Sequence, residues 1–161
     1  MDPQETENTA GDYAADYIQD VLDAMELDAE VEVEQGADNV WRLNVIGPDA
    51  GEVVGAHGAV LNALQYLAGM VAQRASGGYC RLQLNADRYR EKREQHLTET
   101  ALAIAAEVVR MNQEAELDPL SAYERRIIHN ALQEYPGITT YSEGEEPERR
   151  VIVAPKPLVE E

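Results

Sequence analysis

The sequence predicts an α+β protein built from two small units and a long helix between them. Three observations favour this class. Apolar residues recur every three or four positions in several segments, shorter runs alternate between apolar and polar residues, and glycine-rich turns separate these segments. With 161 residues, 44% of them hydrophobic, the chain can form one ordinary domain or two small ones with real cores.

The first unit is predicted to begin with a helix and a hairpin. Asp12 is the expected N-cap of a helix whose apolar face shows three-to-four spacing. That face consists of Tyr13, Tyr17, Ile18, Val21, Leu22 and Met25. The run from Glu30 to Glu34 alternates strictly, which predicts a strand that buries its two valines and exposes its acids. Val40 to Ile46 alternates as well, and the turn from Gln35 to Asn39 joins the two runs into a hairpin.

Two helices and a strand complete this unit. A short helical turn is predicted over Asp49 to Val54, and a longer helix over Ala59 to Ala75. Ser76, Gly77 and Gly78 end that helix, because glycine adopts the positive φ of a C-terminal cap. Tyr79 to Asn85 is predicted as a strand. The resulting order, over residues 12–86, is α-β-β-α-α-β.

The second unit is predicted to span residues 87–157. It starts with a helix that is basic at first and apolar later, Asp87 to Met111. Its other predicted elements are an extended piece at Leu117–Leu120 that contains Pro119, a helix from Ser121 or Ala122 to Tyr135, and strands at Thr139–Ser142 and Arg150–Ala154 joined by a polar loop. Residues 1–11 are acidic and show no periodicity, so they are predicted to be a disordered lead.

Charge is distributed unevenly along the chain. The formal net charge is -18, which disfavours binding to a polyanion. Residues 1–35 nevertheless hold 12 acids and no base, whereas residues 39–93 hold four acids and seven bases. Eleven of the 13 basic residues are arginine, whose forked guanidinium suits phosphate. Basic surfaces therefore remain where a nucleic acid could bind.

The loop Gly55-Ala56-His57-Gly58 is the first candidate site. It directly precedes the predicted helix from Ala59, whose first N–H groups attract anions. Glycines at both ends allow close approach of a phosphodiester backbone. Taken alone, the same four letters also fit an ordinary turn between two helices. Their place between the two helices of an α-β-β-α-α-β array favours a KH domain, in which this loop clamps about four nucleotides.

Two segments resemble one bacterial family. GPDAGEVVGAHGAVLNALQYLAGMV, Gly47 to Val71, resembles the KH segment of the Jag/KhpB family. LSAYERRIIHNALQ, Leu120 to Gln133, and SEGEEPERRVIV, Ser142 to Val153, resemble its second domain, called R-three-H after its Arg-x-x-x-His pattern. The resemblance covers about residues 12–156. It implies a type II-like KH domain, a connecting helix and a small α/β R-three-H domain.

The same resemblance implies a function without catalysis. Family members bind single-stranded RNA in post-transcriptional control linked to cell elongation and division, and a second small KH protein is an implied partner. This chain departs from the family twice. Ala56 and His57 stand where the loop usually carries Lys or Arg, so backbone N–H groups must hold the phosphate. We also expect the separate N-terminal domain of many members to be absent, together with the functions that depend on it.

The second candidate site is the Arg-x-x-x-His helix. Arg125 and His129 are four residues apart, so they share a helix face and could grip one phosphate or base. A salt bridge with a partly buried histidine is the alternative. The remaining candidates for a basic, aromatic RNA-binding surface are Tyr123, Arg126, Arg149 and Arg150. Tyr123 either stacks on a base or fills the core.

Other functions are less well supported by the residues. His57, His96 and His129 lie on separate elements with no nucleophile–base or zinc spacing, so we expect no enzyme, cofactor or metal site. The chain has no signal peptide and no apolar run that could insert into a membrane, and Cys80 is its only cysteine. These features predict a cytoplasmic protein. A protein-interaction adaptor with weakened RNA binding remains the alternative, because of the net charge.

Overall fold

The computed structural model describes residues 8–157 and divides into two compact units, one ending at Arg90 and the other beginning at Glu91. Each unit combines helices with a three-stranded sheet, which confirms the predicted α+β class. The elements of the first are α1 (Ala10–Ala24), β1 (Glu30–Gln35), β2 (Val40–Ile46), 3-10 turns at Ala50–Val53 and Ala56–Gly58, α2 (Ala59–Ser76) and β3 (Arg81–Ala86). Those that follow are α3 (Tyr89–Met111), β4 (Ala115–Glu116), α4 (Ala122–Leu132), β5 (Ile138–Glu143) and β6 (Arg150–Pro155).

Helix α1 begins earlier than the sequence predicts. The N-cap is Thr9, whose Oγ1 accepts a hydrogen bond from the Asp12 N–H at 3.2 Å. The Asp12 carboxylate accepts one from the Thr9 N–H at 2.8 Å, so each residue satisfies the other's free donor. Of the predicted disordered lead, residues 1–7 lie outside the described residues. The prediction is wrong for Thr9 to Gly11, and Gly11 is buried beneath Trp41.

The first sheet has the order β1-β2-β3. β1 and β2 are antiparallel with Val33 opposite Leu43, and β3 is parallel to β2 with Leu84 opposite Leu43. Fully buried side chains from α1, α2 and the sheet form the core, among them Ile18, Leu22, Leu43, Leu61 and Leu84. The glutamates of β1 are exposed, as the alternation predicts.

Gln19 of α1 lies against the start of β1. Its Nε2 donates to the carbonyl of Ala29 at 3.2 Å, and its Oε1 accepts from the N–H of Val31 at 3.2 Å. A residue of a neighbouring strand would likewise bond to the carbonyl of one residue and the N–H of the residue two positions later. The side-chain amide therefore satisfies backbone groups at the outer edge of the sheet.

The turn from β3 into α3 also differs from the prediction. Asp87 and Arg88 adopt left-handed φ values of +49° and +55°, so the helix begins at Tyr89 instead of Asp87. Arg90 fixes this turn to the first unit. Its Nε donates to the Leu84 carbonyl at 2.7 Å, and its Nη2 donates to Gln65 Oε1 at 2.8 Å.

The second sheet has the order β4-β6-β5, and both pairs are antiparallel. The core between this sheet and helices α3 and α4 contains Leu97, Ala101, Ala105, Val108, Ile128, Leu132, Val151 and Val153. β4 lies at Ala115–Glu116, ahead of the predicted extended piece, although Leu117 and Leu120 still donate to β6 residue Val151 and to Arg149. α4 ends at Leu132, short of Tyr135, because Pro136 disfavours helix in the residue before it.

Ser121 begins α4 with a capping box. Its Oγ accepts from the Glu124 N–H, and the Glu124 carboxylate accepts from the Ser121 N–H at 3.0 Å. Arg93 Nε donates to the same carboxylate at 2.9 Å. Burial by itself would raise the pKa of Glu124, but the hydrogen bonds from Ser121 and Arg93 outweigh it and lower that pKa. Within residues 8–157, no helix combines the length and apolarity needed to cross a membrane.

Candidate nucleic-acid interface

The glycine loop contains three residues with positive φ. Gly55, His57 and Gly58 have φ values of +71°, +52° and +79°. The Leu61 N–H donates to the Val54 carbonyl at 3.2 Å and closes the loop at its base. Ala56 and His57 are exposed at its tip. The two residues between the glycines are therefore accessible to a ligand.

Both glycines are required by contacts inside the first unit. A Cβ on Gly55 would lie 2.4 Å from Val60 Cγ2 and 3.0 Å from the Val60 backbone nitrogen. A Cβ on Gly58 would lie 2.7 Å from Tyr89 Cε1. From the sequence, we attribute glycine at positions 55 and 58 to the close approach of a nucleic-acid backbone. Packing and positive φ are sufficient reasons on their own.

Helix α2 begins directly behind this loop without a side-chain cap. Gly58 is its N-cap and offers no side-chain oxygen to the first N–H groups of the 18-residue helix. The Ala59 and Leu61 N–H groups donate to the Ala56 and Val54 carbonyls, so the helix dipole is the main source of partial positive charge at this terminus. The loop therefore presents an exposed tip beside the positive end of the helix dipole.

Arg125 shares a face of α4 with His129, and it is buried. Its residue is 8% exposed, and both guanidinium ends have partners inside the second unit. Nη1 donates to the Leu120 carbonyl at 2.6 Å, and Nη2 donates to Glu146 Oε1 at 2.7 Å. A buried arginine needs such partners, because an unpaired charge away from water is costly. The predicted salt-bridge alternative therefore describes the free protein.

His129 is half-buried between α4 and β5. Its Nδ1 lies 2.7 Å from Thr140 Oγ1, and its Nε2 lies 3.0 Å from Ser142 Oγ. Burial lowers the pKa of His129, and the positive charge of Arg125 lowers it further. Hydroxyl groups both donate and accept, so they satisfy the neutral imidazole. In the free protein, His129 joins α4 to β5.

Exposed candidates remain on α4. Tyr123 is 59% exposed, so it does not fill the core and its ring can stack. Arg126 is exposed, and within residues 8–157 it has neither a hydrogen-bond nor an ion-pair partner. Among the residues predicted for the second site, Tyr123 and Arg126 have side chains that are exposed and accessible to a ligand.

The two arginines at the start of β6 do not share a surface. Arg149 Nη1 donates to the Gly144 carbonyl at 3.0 Å. Arg150 lies opposite Glu143 in the register, and its Nη1 contacts Glu116 Oε1. Successive strand residues point to opposite faces, so Arg150 lies on the face away from Thr140, Ser142 and α4. The prediction of one surface that includes both Arg150 and α4 is wrong.

The face of the second sheet that carries Arg150 also carries a tyrosine that sequence reasoning missed. Tyr141 is 44% exposed and lies between Thr140 and Ser142 in β5, so it points away from His129. Burial raises the pKa of the Tyr141 hydroxyl, and the nearby Glu114 and Glu143 carboxylates raise it further. The alternation in ITTYSE was the available signal for this orientation.

Comparison with known proteins identifies both units. Residues 12–84 match the KH domain described for KhpA/KhpB, and residues 95–155 match the R-three-H domain. A Clostridium symbiosum protein named RNA-binding protein KhpB is 38% identical over 149 residues, which cover 92% of this chain and 67% of that protein. The chain belongs to the Jag/KhpB family.

Other Jag/KhpB relatives extend this match. A Bacillus subtilis protein named RNA-binding protein KhpB is 32% identical over 142 residues, or 87% of this chain and 68% of that protein. One of the same name from Lactiplantibacillus plantarum is 33% identical over 151 residues, or 94% of this chain and 47% of that protein. The chain thus spans about two thirds of the length of the first two relatives and about half of the third.

Membership of the Jag/KhpB family confirms the prediction that the chain is not an enzyme. The relatives are named for RNA binding, and both matched domains are the domains of those proteins. Within residues 8–157, no three His, Cys, Asp or Glu side chains are arranged to hold a metal ion. Burial raises the pKa of the Cys80 thiol, which disfavours the reactive thiolate.

The lowered pKa of His129 predicts a pH-dependent stability. The unfolded chain binds a proton near the ordinary imidazole pKa of about 6.5, whereas the folded protein binds it only at lower pH. The stabilisation present above about pH 6.5 is therefore lost as pH falls toward the folded pKa, by about 1.4 kcal/mol for each pKa unit of depression. Urea unfolding between about pH 7.5 and 5.5 measures it. His129→Gln should lose less stability than the wild type over that range, and equal losses would contradict this role for burial.

Proposed function

We propose that this chain binds single-stranded RNA through the Gly55–Gly58 loop and the exposed side of α4. The carrying observation is the exposed Ala56-His57 tip in front of an α2 N-terminus that no side chain caps. A phosphate at this place meets the positive end of the helix dipole, and any N–H bonds that it accepts come from groups other than Ala59 and Leu61, which already donate to backbone carbonyls. The printed names of the Jag/KhpB relatives, RNA-binding protein KhpB, support the same ligand class.

The second unit contributes different chemistry. Tyr123 stacks on a base, and Arg126 pairs with a phosphate, because both side chains are exposed on α4. Arg125 and His129 lie behind them and take part when their present partners are exchanged for RNA. Arg149, directly before β6, is a further proposed RNA contact. Arg150 contacts RNA only if the bound RNA also reaches the other face of the second sheet.

The net charge of -18 does not oppose this function uniformly. The exposed glutamates of β1 occupy an edge strand, and residues 39–93 carry a surplus of bases. Local potential near a site governs the approach of a polyanion more than the total charge does, because salt screens exposed charges beyond about 8–10 Å. RNA therefore meets the loop without facing the full acidic charge.

The finer functional assignment rests on family resemblance. It comprises a cytoplasmic post-transcriptional regulator linked to cell elongation and division, with a KH domain over residues 12–86 and an R-three-H domain over residues 87–157. A second small KH protein is the proposed protein partner. Deletion of the gene in its host, followed by measurement of cell length and of transcript levels, tests this assignment.

An adaptor with weakened RNA binding is the second candidate. An open groove of about 730 Å³ in the first unit supports it, because Tyr17 and exposed apolar residues of α2 line that groove. Those residues include Leu67, Met70 and Val71, and Tyr79 extends the same surface. Exposed apolar patches are common at protein interfaces. RNA binding by the intact chain distinguishes the two candidates.

Filter binding to random-sequence RNA tests the proposed function. We expect unstructured single strands to bind more tightly than hairpin stems, because an unpaired strand exposes its bases for stacking on Tyr123. Affinity should fall with salt, and each phosphate contact should contribute about 0.7 to the log–log slope. Equal affinity for stems and single strands would refute the proposal. Failure to bind either at low salt would favour the adaptor.

A further inference from the structure

We infer that Glu146 occupies a phosphate position at Arg125 and restrains RNA binding until an RNA phosphate replaces it. This inference rests on the proposed function and adds regulation to the second unit. It concerns three groups: the buried guanidinium of Arg125, the exposed carboxylate of Glu146, and the loop between β5 and β6 that carries the carboxylate.

The guanidinium is held in place independently of Glu146. Arg125 Nη1 donates to the Leu120 carbonyl at 2.6 Å, and the Arg125 side chain is only 10% exposed. The backbone of Leu120 is itself tied to the strand side, because its N–H donates to the Arg149 carbonyl at 3.1 Å. Arg125 Nη2 is therefore a donor that the Leu120 carbonyl helps to hold in place without the Glu146 side chain.

The carboxylate, in contrast, lies where it can leave. The Glu146 side chain is 57% exposed, and its Oε1 accepts from Arg125 Nη2 at 2.7 Å. All residues from Gly144 to Glu148 are exposed, so rotation of this side chain disturbs no core contact. The ends of the loop keep their own bonds, from Glu148 N–H to the Glu145 carbonyl at 2.9 Å and from Arg149 Nη1 to the Gly144 carbonyl at 3.0 Å.

Carboxylate and phosphate are exchangeable ligands of a guanidinium. Both offer anionic oxygens that accept charge-assisted hydrogen bonds, so a phosphate oxygen can take the place of Glu146 Oε1. The buried guanidinium of Arg125 needs hydrogen-bond acceptors in either state, and an anion is the more favourable one. Tyr123 and Arg126, on the exposed side of the same helix, are free to contact the neighbouring nucleotides. An RNA phosphate that binds Arg125 must therefore compete with the chain's own glutamate.

This competition weakens RNA binding, because the free energy of the Arg125–Glu146 ion pair must be overcome. A pair with one exposed partner contributes modestly, so we expect Glu146→Gln to raise affinity about two- to fivefold. Glutamine still accepts a hydrogen bond from Arg125, which keeps the fold, but it carries no charge to hold the guanidinium against phosphate. The salt slope should stay unchanged, because Arg125 contacts the same phosphate in both complexes and only the competing carboxylate is lost.

The experiment measures filter binding of the full chain to the same random-sequence single-stranded RNA across a salt series. Glu148→Gln is the matched control, since it removes one charge from the same loop and, within residues 8–157, its carboxylate contacts no arginine. A larger affinity for Glu146→Gln than for Glu148→Gln, with equal salt slopes, supports the inference. Equal gains, or a loss in Glu146→Gln, overturn it while the wild type still binds. Absence of wild-type binding instead overturns the proposed function, and the inference falls with it.

Discussion

Replacing Ala56 and His57 together with aspartate should lower RNA affinity at least about tenfold while leaving the protein folded. Two carboxylates at the loop tip would stand where the proposed phosphate binds, and like charges in contact cost several kcal/mol. The fold should tolerate the change. Both side chains are exposed, and aspartate is among the few residues that accept the left-handed conformation of His57, with φ of +52°.

The β1–β2 turn supplies a matched control for this double variant. Ala37→Asp with Asn39→Asp adds the same charge, at one exposed alanine and at one left-handed residue with φ of +60°. Asn39 lines a cavity with Ser76 at the far end of α2, about 27 Å along the helix from the loop. Circular dichroism and filter binding should show both variants folded and only the loop variant impaired. Unchanged affinity in the folded loop variant would favour the adaptor.

Gly58→Ala should destabilise the first unit by about 2–5 kcal/mol. A left-handed φ of +79° costs a residue with a Cβ about 1–2 kcal/mol. The added Cβ would also lie 2.7 Å from Tyr89 Cε1 and 3.2 Å from the Tyr89 hydroxyl oxygen, an overlap that costs about 1–3 kcal/mol more. Urea unfolding of the full chain measures the loss as a lower midpoint.

Gly77→Ala separates the two terms of that estimate. Gly77 caps the other end of α2 with a φ of +72°, and a Cβ there would meet nothing within 4 Å. We therefore expect it to cost about 1–2 kcal/mol, from the backbone alone. A loss for Gly58→Ala no larger than the loss for Gly77→Ala would show that Tyr89 yields and that packing does not require the glycine.

Local patterns in the sequence account for most of the fold. Alternation places β2 at Val40–Ile46 as predicted, and glycine at position 77 ends α2 as predicted. The errors fall at element ends, where several residues compete. Asp12 was a reasonable N-cap, but Thr9 three residues earlier completes a reciprocal pair with it. The sequence gives only a weak sign of the two left-handed residues before Tyr89, because Asp87 tolerates that conformation but Arg88 does not favour it.

The sequence predicts where the candidate site residues lie on their helices, but it does not predict which side chains surround them. The motif places the loop before α2, and the spacing of four places Arg125 and His129 on one face. Spacing gives no information about what covers that face. The partner of Arg125 is Glu146, 21 residues later in the chain, and the partners of His129 belong to β5. Such long-range contacts depend on how strands and loops pack, which periodicity does not encode.

The contact between Gln19 and the start of β1 has a consequence for solubility. Edge strands invite other chains to add to the sheet, and EVEVEQ would be a regular template for such aggregation. Gln19 already satisfies the Ala29 carbonyl and the Val31 N–H, so an incoming strand finds these positions taken. The exposed glutamates repel a second copy along the remaining edge. A polar side chain inside the chain's own first helix thereby helps to keep the sheet from growing between molecules.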